Sequence, residues 1–117
     1  MGLSLTKKIV AMGGDGVGPE VVNATVNILE NMGLDIEIMK PPSGESAIKS
    51  HGQPLPDETR ELCDSADAIL FGAIGDKSTQ IITYLRWVLD TYANIRPAKY
   101  YEGVQSPLKD PSGIDFV

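Results

Sequence analysis

Residues 7–20, KKIVAMGGDGVGPE, decide the fold class of this chain. KKIVAM (7–12) contains a short apolar run that predicts a buried strand, and the glycine-rich stretch after it predicts a turn. Pro19 suits the first turn of a helix, because its φ is fixed and it has no N–H to leave unpaired. The stretch therefore predicts a strand, a tight turn and a helix in succession.

The rest of the chain continues this alternation. Apolar residues recur at helical spacing from Val21 to Met32, and Gly33 is a typical helix stop. The pattern then predicts a half-covered strand (35–39), a short helix (43–49), a helix (57–66), a buried strand (67–73), an amphipathic helix (80–90), a strand or extended hinge (92–99) and the start of a buried strand (116–117). Such an order predicts the α/β class, with an open, largely parallel sheet flanked by helices.

The composition of the chain limits the kinds of molecule that it is expected to bind and the compartment in which it is expected to occur. The chain has 117 residues and a net charge of −6, with no basic stripe, which argues against nucleic acid. Its apolar runs are short, so no segment is predicted to span a bilayer. Cys63 is the only cysteine, so no internal disulfide can form, and we expect a reducing, cytoplasmic location.

Arg86 and Arg96 lie ten residues apart, one on the predicted helix and one on the extended segment behind it. A guanidinium offers a planar fork of donors that matches a carboxylate two bonds at a time. The pair therefore suggests a clamp for two carboxylates of one small acid. The alternative is that Arg86 pairs with Asp90 across one helical turn, and that Arg96 is a surface residue beside Pro97.

Two glycine-containing loops follow predicted strands. In the first, GGDGVG (13–18), the glycines do not have the G-x-G-x-x-G spacing of a dinucleotide fingerprint, and Pro19 removes one donor. This loop is either a tight turn with Asp15 capping it locally, or a ligand-binding turn at the carboxyl end of a parallel strand. The second loop, GAIGDKSTQ (72–80), shares that edge, and the two loops form either a cleft or ordinary turns.

The two remaining candidates for a nucleophile or a metal ligand, His51 and Cys63, do not indicate a functional site. His51 lies in a polar stretch and is interpreted as a solvated loop residue. Cys63 lies beside Leu62 on the apolar side of a predicted helix and is interpreted as a small core residue.

Three segments together resemble one known family. GGDGVGPEV resembles the xGDGIGPEV signature of the β-decarboxylating dehydrogenases, and DAILFGAIG resembles the strand and loop before their substrate helix. LRWVLDTYANIRPAKYY is similar to their LRxxxDxYANxRPxK segment. The segments occur in the family's order and cover nearly the whole chain. The chain thus resembles the N-terminal segment of an isocitrate or 3-isopropylmalate dehydrogenase, closest to archaeal isopropylmalate-type members.

The resemblance assigns roles to particular residues. It implies that Arg86 and Arg96 bind carboxylates of the malate moiety and that Ile82 and Thr83 meet the variable γ-substituent. It also implies cofactor contacts, near the adenosine for Val17 and near the nicotinamide for the 72–75 loop, which consists of Gly72, Ala73, Ile74 and Gly75.

The resemblance further implies what lies elsewhere. The family's catalytic tyrosine and lysine, its third arginine and its metal-binding aspartates fall beyond residue 117, so no catalytic residue and no metal ligand is expected in this segment, which alone should be inactive. Residues 1–98 would belong to the large α/β domain, and 99–117 would begin a second, dimerisation domain. The full-length protein would use NAD or NADP with Mg²⁺ or Mn²⁺ and form a homodimer. The alternatives are a non-catalytic subunit of such an enzyme, or a generic phosphate-binding module.

The substrate expectation depends on the residues before Arg86. Isocitrate enzymes usually carry Ser-x-Asn there, whereas this chain has Gln80 and Ile82. An isoleucine disfavours a carboxylate and favours an isopropyl group. KYYEGVQSPLKDP, in contrast, resembles the isocitrate enzymes. The order of expectation is 3-isopropylmalate, as in leucine biosynthesis, then isocitrate, then homoisocitrate or tartrate.

Overall fold

A computed structural model describes residues 6–117, and two sheets organise them. The strands are β1 (Lys7–Gly14), β2 (Ile36–Met39), β3 (Ala68–Ala73), β4 (Ala98–Lys99) and β5 (Asp115–Phe116). The helices are α1 (Gly18–Asn31), α2 (Glu45–His51), α3 (Asp57–Ser65) and α4 (Thr79–Thr83). No helix in this part of the chain is both long and apolar enough to cross a membrane.

The first sheet is parallel and has β1 at its centre, in the order β2-β1-β3. Val10 of β1 is in register with Met39 on one side and Ile69 on the other. Because all three strands run the same way, their carboxyl ends meet at one edge. The predicted parallel sheet and the strand–turn–helix at its centre are confirmed.

Both faces of this sheet are covered, as the continuous apolar runs of its strands require. On one face Val10 and Met12 pack with the buried residues Leu55, Cys63, Ile81 and Tyr84. On the other face Ala11 packs against Val22 and Val26 of α1. The alternation of β1 side chains thus divides the core into two layers.

The predicted helix over 80–90 is not regular. Asp76–Ser78 form a 3-10 turn, α4 follows, and residues Tyr84–Val88 widen into a π-helical turn that the Leu89 N–H closes on the Tyr84 oxygen at 3.1 Å. We call residues 79–88 the arginine helix. Asp90, which follows, has a left-handed backbone conformation with a φ of 48°.

Several predicted boundaries and burials were wrong. β1 runs on to Gly14, since that residue still pairs with Ala73. For 92–99 a strand or an extended hinge was predicted, and Ala98–Lys99 is the part that forms a strand. β3, predicted to be buried, is mostly half-buried. The predicted burial of 116–117 fails because, within residues 6–117, β5 pairs only with β4 in an exposed ribbon, which leaves Phe116 61% and Val117 84% accessible.

Candidate functional site

The two glycine-containing loops lie against each other at the carboxyl edge of the sheet. The Asp15 N–H donates to the Ala73 oxygen at 2.8 Å, which joins the turn after β1 to the end of β3. The backbones pack so closely that a Cβ at Gly18 would lie 2.7 Å from the Ala73 nitrogen. The prediction that both loops share this edge is confirmed.

Asp15 is the centre of this edge. Its side chain is buried, with the residue 6% exposed, and its Oδ1 accepts hydrogen bonds from the Glu45 N–H at 2.6 Å and the Ser78 hydroxyl at 3.0 Å. Its Oδ2 accepts from the Gly75 N–H at 2.6 Å. A second link, from the Gly14 N–H to the Ser43 Oγ at 3.1 Å, attaches the start of α2 to β1.

These bonds also fix the charge of Asp15. Burial opposes ionisation, but the hydrogen bonds donated by Gly75, Ser78 and Glu45 outweigh it and hold the pKa of Asp15 below its usual value. The carboxylate is therefore ionised near neutral pH, with donors on both oxygens.

The local cap considered for Asp15 from the sequence is not what the structure shows. Val17 is the N-cap of α1, and no side chain caps that helix. Asp15 instead contacts residues 30, 60 and 63 positions away. The sequence signal was the single acid within a glycine-rich turn, and local pattern could not show its distant partners.

The residues assigned to a cofactor lie along this edge. Val17 is 59% exposed, so an aliphatic side chain faces outward from the first turn. The predicted loop overlaps the strand: Gly72 and Ala73 still belong to β3, and only Ile74 and Gly75 of the 72–75 loop follow it. The first three of these residues are half-buried and Gly75 is exposed. Because the Gly75 N–H is already bonded to Asp15, it is not available to a ligand.

The arginine helix buries one side and exposes the other. Ile81 and Tyr84 are buried in the core, while Ile82 is half-buried and Thr83 and Arg86 are exposed. This part of the chain therefore carries an exposed cation, Arg86, and, four positions earlier, a partly covered aliphatic side chain.

Within residues 6–117, neither candidate arginine has a side-chain ion pair or hydrogen bond that would stabilise the fold. Arg86 forms no ion pair with Asp90, so that alternative is wrong, and no hydrogen bond engages either guanidinium in this part of the chain. Arg96 is exposed in the segment between the arginine helix and β4. The carboxylate clamp itself remains a prediction.

Contacts on the buried side anchor the arginine helix. The Tyr84 hydroxyl donates to the Asp64 carboxylate at 2.6 Å, and the Arg60 guanidinium lies over the Tyr84 ring, 5.7 Å from its centre. Burial, reinforced by the Asp64 carboxylate, raises the pKa of Tyr84, so its hydroxyl stays protonated as the donor.

The other two candidates, Cys63 and His51, have contacts that belong to the fold. Cys63 is buried with its Sγ 3.9 Å from the Met12 sulfur, and burial, with the nearby Asp64 charge, raises its pKa to about 11. This confirms a core residue. His51 is exposed, but it ends α2 rather than lying in a loop, and its Nε2 is 3.3 Å from Glu58.

Beside the glycine turn lies a cavity of about 410 Å³, lined in part by Gly13, Gly14, Pro19, Lys40 and Ser43. Its lining includes none of the residues assigned to substrate or cofactor. Residues 6–117 contain no cluster of three histidine, cysteine or carboxylate side chains that could hold a metal ion.

Comparison with known proteins identifies relatives of the chain. A family model described as isocitrate/isopropylmalate dehydrogenase matches residues 8–117. The 3-isopropylmalate/3-methylmalate dehydrogenase of Methanocaldococcus jannaschii is 46% identical over 110 residues, which are 94% of this chain and 32% of that protein. The 3-isopropylmalate dehydrogenase of Archaeoglobus fulgidus is 46% identical over 99 residues, 85% of this chain and 30% of that protein.

The fold has a solved counterpart. The crystal structure of the TT0538 protein from Thermus thermophilus superposes with a TM-score of 0.70 at 27% identity, covering 92% of this chain and 22% of that one. The chain spans about a third of the length of the curated relatives it matches.

Proposed function

The chain belongs to the isocitrate/isopropylmalate dehydrogenase family, and on that premise we propose that the protein carrying it oxidises and decarboxylates a 2-hydroxy diacid with NAD or NADP. The proposed substrate is 3-isopropylmalate. The proposed substrate contacts are Arg86, Arg96, Ile82 and Thr83.

One observation carries this proposal. The outward side of the arginine helix presents Arg86, without a partner in the described residues, and Ile82, half-buried, four positions apart. A free guanidinium suits a carboxylate, and a partly covered branched side chain suits an alkyl substituent. Relatives named for 3-isopropylmalate and 3-methylmalate, which both carry an alkyl group, support the same choice.

The residues of this chain would bind and orient the substrate. Arg86 and Arg96 would each hold a carboxylate, neutralise its charge and restrict the motion of the acid. Ile82 would cover the γ-substituent and exclude water from it. The exposed Thr83 hydroxyl donates to the Thr79 oxygen at 3.4 Å, so its methyl group would be the part that faces a ligand.

The 72–75 loop and Val17 are the proposed cofactor contacts. A nicotinamide dinucleotide bound there supplies the hydride acceptor. The exposed Val17 fits this role, since it offers an apolar side chain to a nucleoside at the edge that the 72–75 loop also borders. The described residues do not fit a metal ion, so none of them is assigned to Mg²⁺ or Mn²⁺.

Assembly and location follow the same proposal. We expect the intact protein to form a homodimer, with residues 99–117 beginning the dimerisation domain and 1–98 belonging to the large domain. A single cysteine, which cannot form an internal disulfide, suits a reducing cytoplasm.

The test compares kcat/KM of the intact protein on 3-isopropylmalate, isocitrate and homoisocitrate. Burying a branched group contributes about 1–3 kcal/mol, so 3-isopropylmalate should be preferred by roughly 5- to 150-fold. A preference for isocitrate would contradict the role of Ile82, and no turnover of any of these acids would favour a non-catalytic subunit. The 117-residue chain alone is the control and should show no turnover.

A further inference from the structure

We propose that Asp15 is a positioning residue for the candidate site: its carboxylate fixes the 72–75 loop, and the 3-10 turn that precedes the arginine helix, against the end of β1. The inference rests on the proposed function only for the identity of the ligand that the loop binds. The positioning itself is a property of residues 14–78.

The carboxylate joins three segments that are distant in sequence. It lies in the turn after β1, and it accepts hydrogen bonds from the Gly75 N–H of the 72–75 loop and from the Glu45 N–H at the first residue of α2, each at 2.6 Å. The Ser78 hydroxyl, which is fully buried, adds a third bond at 3.0 Å. Asp15 is only 6% exposed and its bond from Ser78 is buried, whereas Gly75 and Glu45 are exposed residues whose bonds to Asp15 are partly buried.

The groups around the carboxylate explain why an aspartate is needed. All three partners are donors, and two of them are backbone N–H groups that no substitution other than proline removes. An asparagine of the same size keeps one acceptor oxygen but turns an NH₂ group toward a donor. One N–H would therefore lose its partner inside the protein.

Gly44 shows how tightly α2 closes on this carboxylate. A Cβ at that position would collide with Asp15 Oδ1 and would lie 2.5 Å from the carbonyl carbon of Gly14. A longer side chain than aspartate has no room on this side. Asp15→Glu is therefore expected not to restore the contacts.

The two halves of the candidate site depend on Asp15 to different degrees. The arginine helix is held independently by Ile81 and Tyr84, which are buried in the core, and by the bond from Tyr84 to Asp64. The 72–75 loop, in contrast, is held by its hydrogen bonds with Asp15, from the Gly75 N–H to the carboxylate and from the Asp15 N–H to the Ala73 oxygen. Loss of the carboxylate should consequently displace the loop more than Arg86.

The first readout is amide hydrogen exchange in the intact protein. In Asp15→Asn the Gly75 and Glu45 amides should exchange about 10-fold faster or more, because their local opening is no longer opposed. Asp67→Asn is the matched control: Asp67 also accepts a backbone N–H and a side-chain donor, from Lys8 and Lys7, but it lies at the other end of the sheet. It should leave both amides unchanged.

The second readout separates positioning from a general loss of folding. In the intact protein, Asp15→Asn should weaken dinucleotide binding by about 10-fold and 3-isopropylmalate binding by less than about 3-fold, each as a Kd. A purely structural defect would lower the active fraction without this split. Ser78→Ala, which removes one bond and keeps the charge, should have a smaller effect of the same kind, and it serves if Asp15→Asn does not fold.

The outcomes are distinguishable. Wild-type exchange at Gly75 and Glu45 in Asp15→Asn would overturn the positioning role, as would equal weakening of both ligands. Failure of the wild-type intact protein to bind a dinucleotide would contradict the proposed function alone, and the exchange rates would still decide the role of Asp15.

Discussion

Asp15 and Gly75 are joined by a 2.6 Å hydrogen bond from the Gly75 N–H to Asp15 Oδ2, across 60 positions of sequence. Asp15 lies in the turn after the central strand β1, and Gly75 ends the loop after the neighbouring strand β3. The bond closes the carboxyl edge of the sheet at the point where both candidate ligand-binding loops emerge.

The depressed pKa of Asp15 predicts a dependence of stability on acid. The folded pKa lies below the unfolded value of about 3.9, so the carboxylate stabilises the fold above that pH, and this stabilisation is lost as the pH falls through the folded pKa. Asp15→Asn should cost about 1–3 kcal/mol at pH 7, because one N–H is left unpaired, and progressively less as the pH falls through the folded pKa. Urea unfolding at a series of pH values from 7 downward measures this.

A destabilisation that stays the same at every pH in the series would show that the charge of Asp15 does not contribute. The control is Asp67→Asn, which removes an exposed carboxylate whose pKa is lowered mainly by hydrogen bonds from Lys7 and Lys8. Its effect should be smaller, since water screens it.

Gly44 and Gly52 flank α2 and both have positive φ, 68° and 76°, but their ψ angles differ, −146° and −2°. A Cβ at Gly52 meets nothing within 4 Å, so Gly52→Ala should cost about 1–2 kcal/mol for its left-handed conformation alone. Gly44 has a backbone conformation that essentially only glycine adopts, and a Cβ there would also meet Asp15 and Gly14, so Gly44→Ala should cost more for both reasons. Urea midpoints compare the two variants, and equal costs would contradict this account of the start of α2.

Ile81 and Ile82 separate stability from specificity. Ile81 is fully buried, so Ile81→Ala should lower the free energy of unfolding by about 2–5 kcal/mol. Ile82 is half-buried, so Ile82→Ala should lower it by less but should reduce the preference of the intact protein for 3-isopropylmalate over isocitrate. Unfolding curves and kcat/KM ratios check the pair. An unchanged ratio in Ile82→Ala would remove that residue from the substrate site.

Asp90 follows the arginine helix in the left-handed region, with a φ of 48°. Asp90→Gly or Asp90→Asn should fold as well as wild type, since these residues adopt that conformation readily. Asp90→Val should cost about 1–2 kcal/mol in urea unfolding, because a branched side chain disfavours it. Equal stability of the valine and glycine variants would contradict this account of the helix end.

Much of the layout was predictable from local pattern. The apolar runs and glycine-rich turns indicated the alternation of strands and helices, and parallel strands necessarily bring their carboxyl ends together. The spacing of Ile82 and Arg86 predicted which side of the helix faces outward. In the structure, burial of Ile81 and Tyr84 fixes the rotation of the helix about its own axis.

The misses have physical causes. The partners of Asp15 lie 30 or more positions away, beyond the range of any local periodicity. An Arg86–Asp90 pair needs regular helical geometry, and the π-helical turn and the positive φ of Asp90 remove it. The burial of 116–117 depended on a sheet partner, and β5 pairs with β4 outside the central sheet.

The most direct test of the account is calorimetric binding of 3-isopropylmalate to the intact protein and its Arg86→Lys and Arg96→Lys variants. Lysine keeps the charge but cannot form the two-bond fork, so each variant should bind at least about 10-fold more weakly. Both should unfold within about 0.5 kcal/mol of wild type, because neither side chain has a partner in the described residues. Wild-type affinity in either variant would contradict the carboxylate clamp.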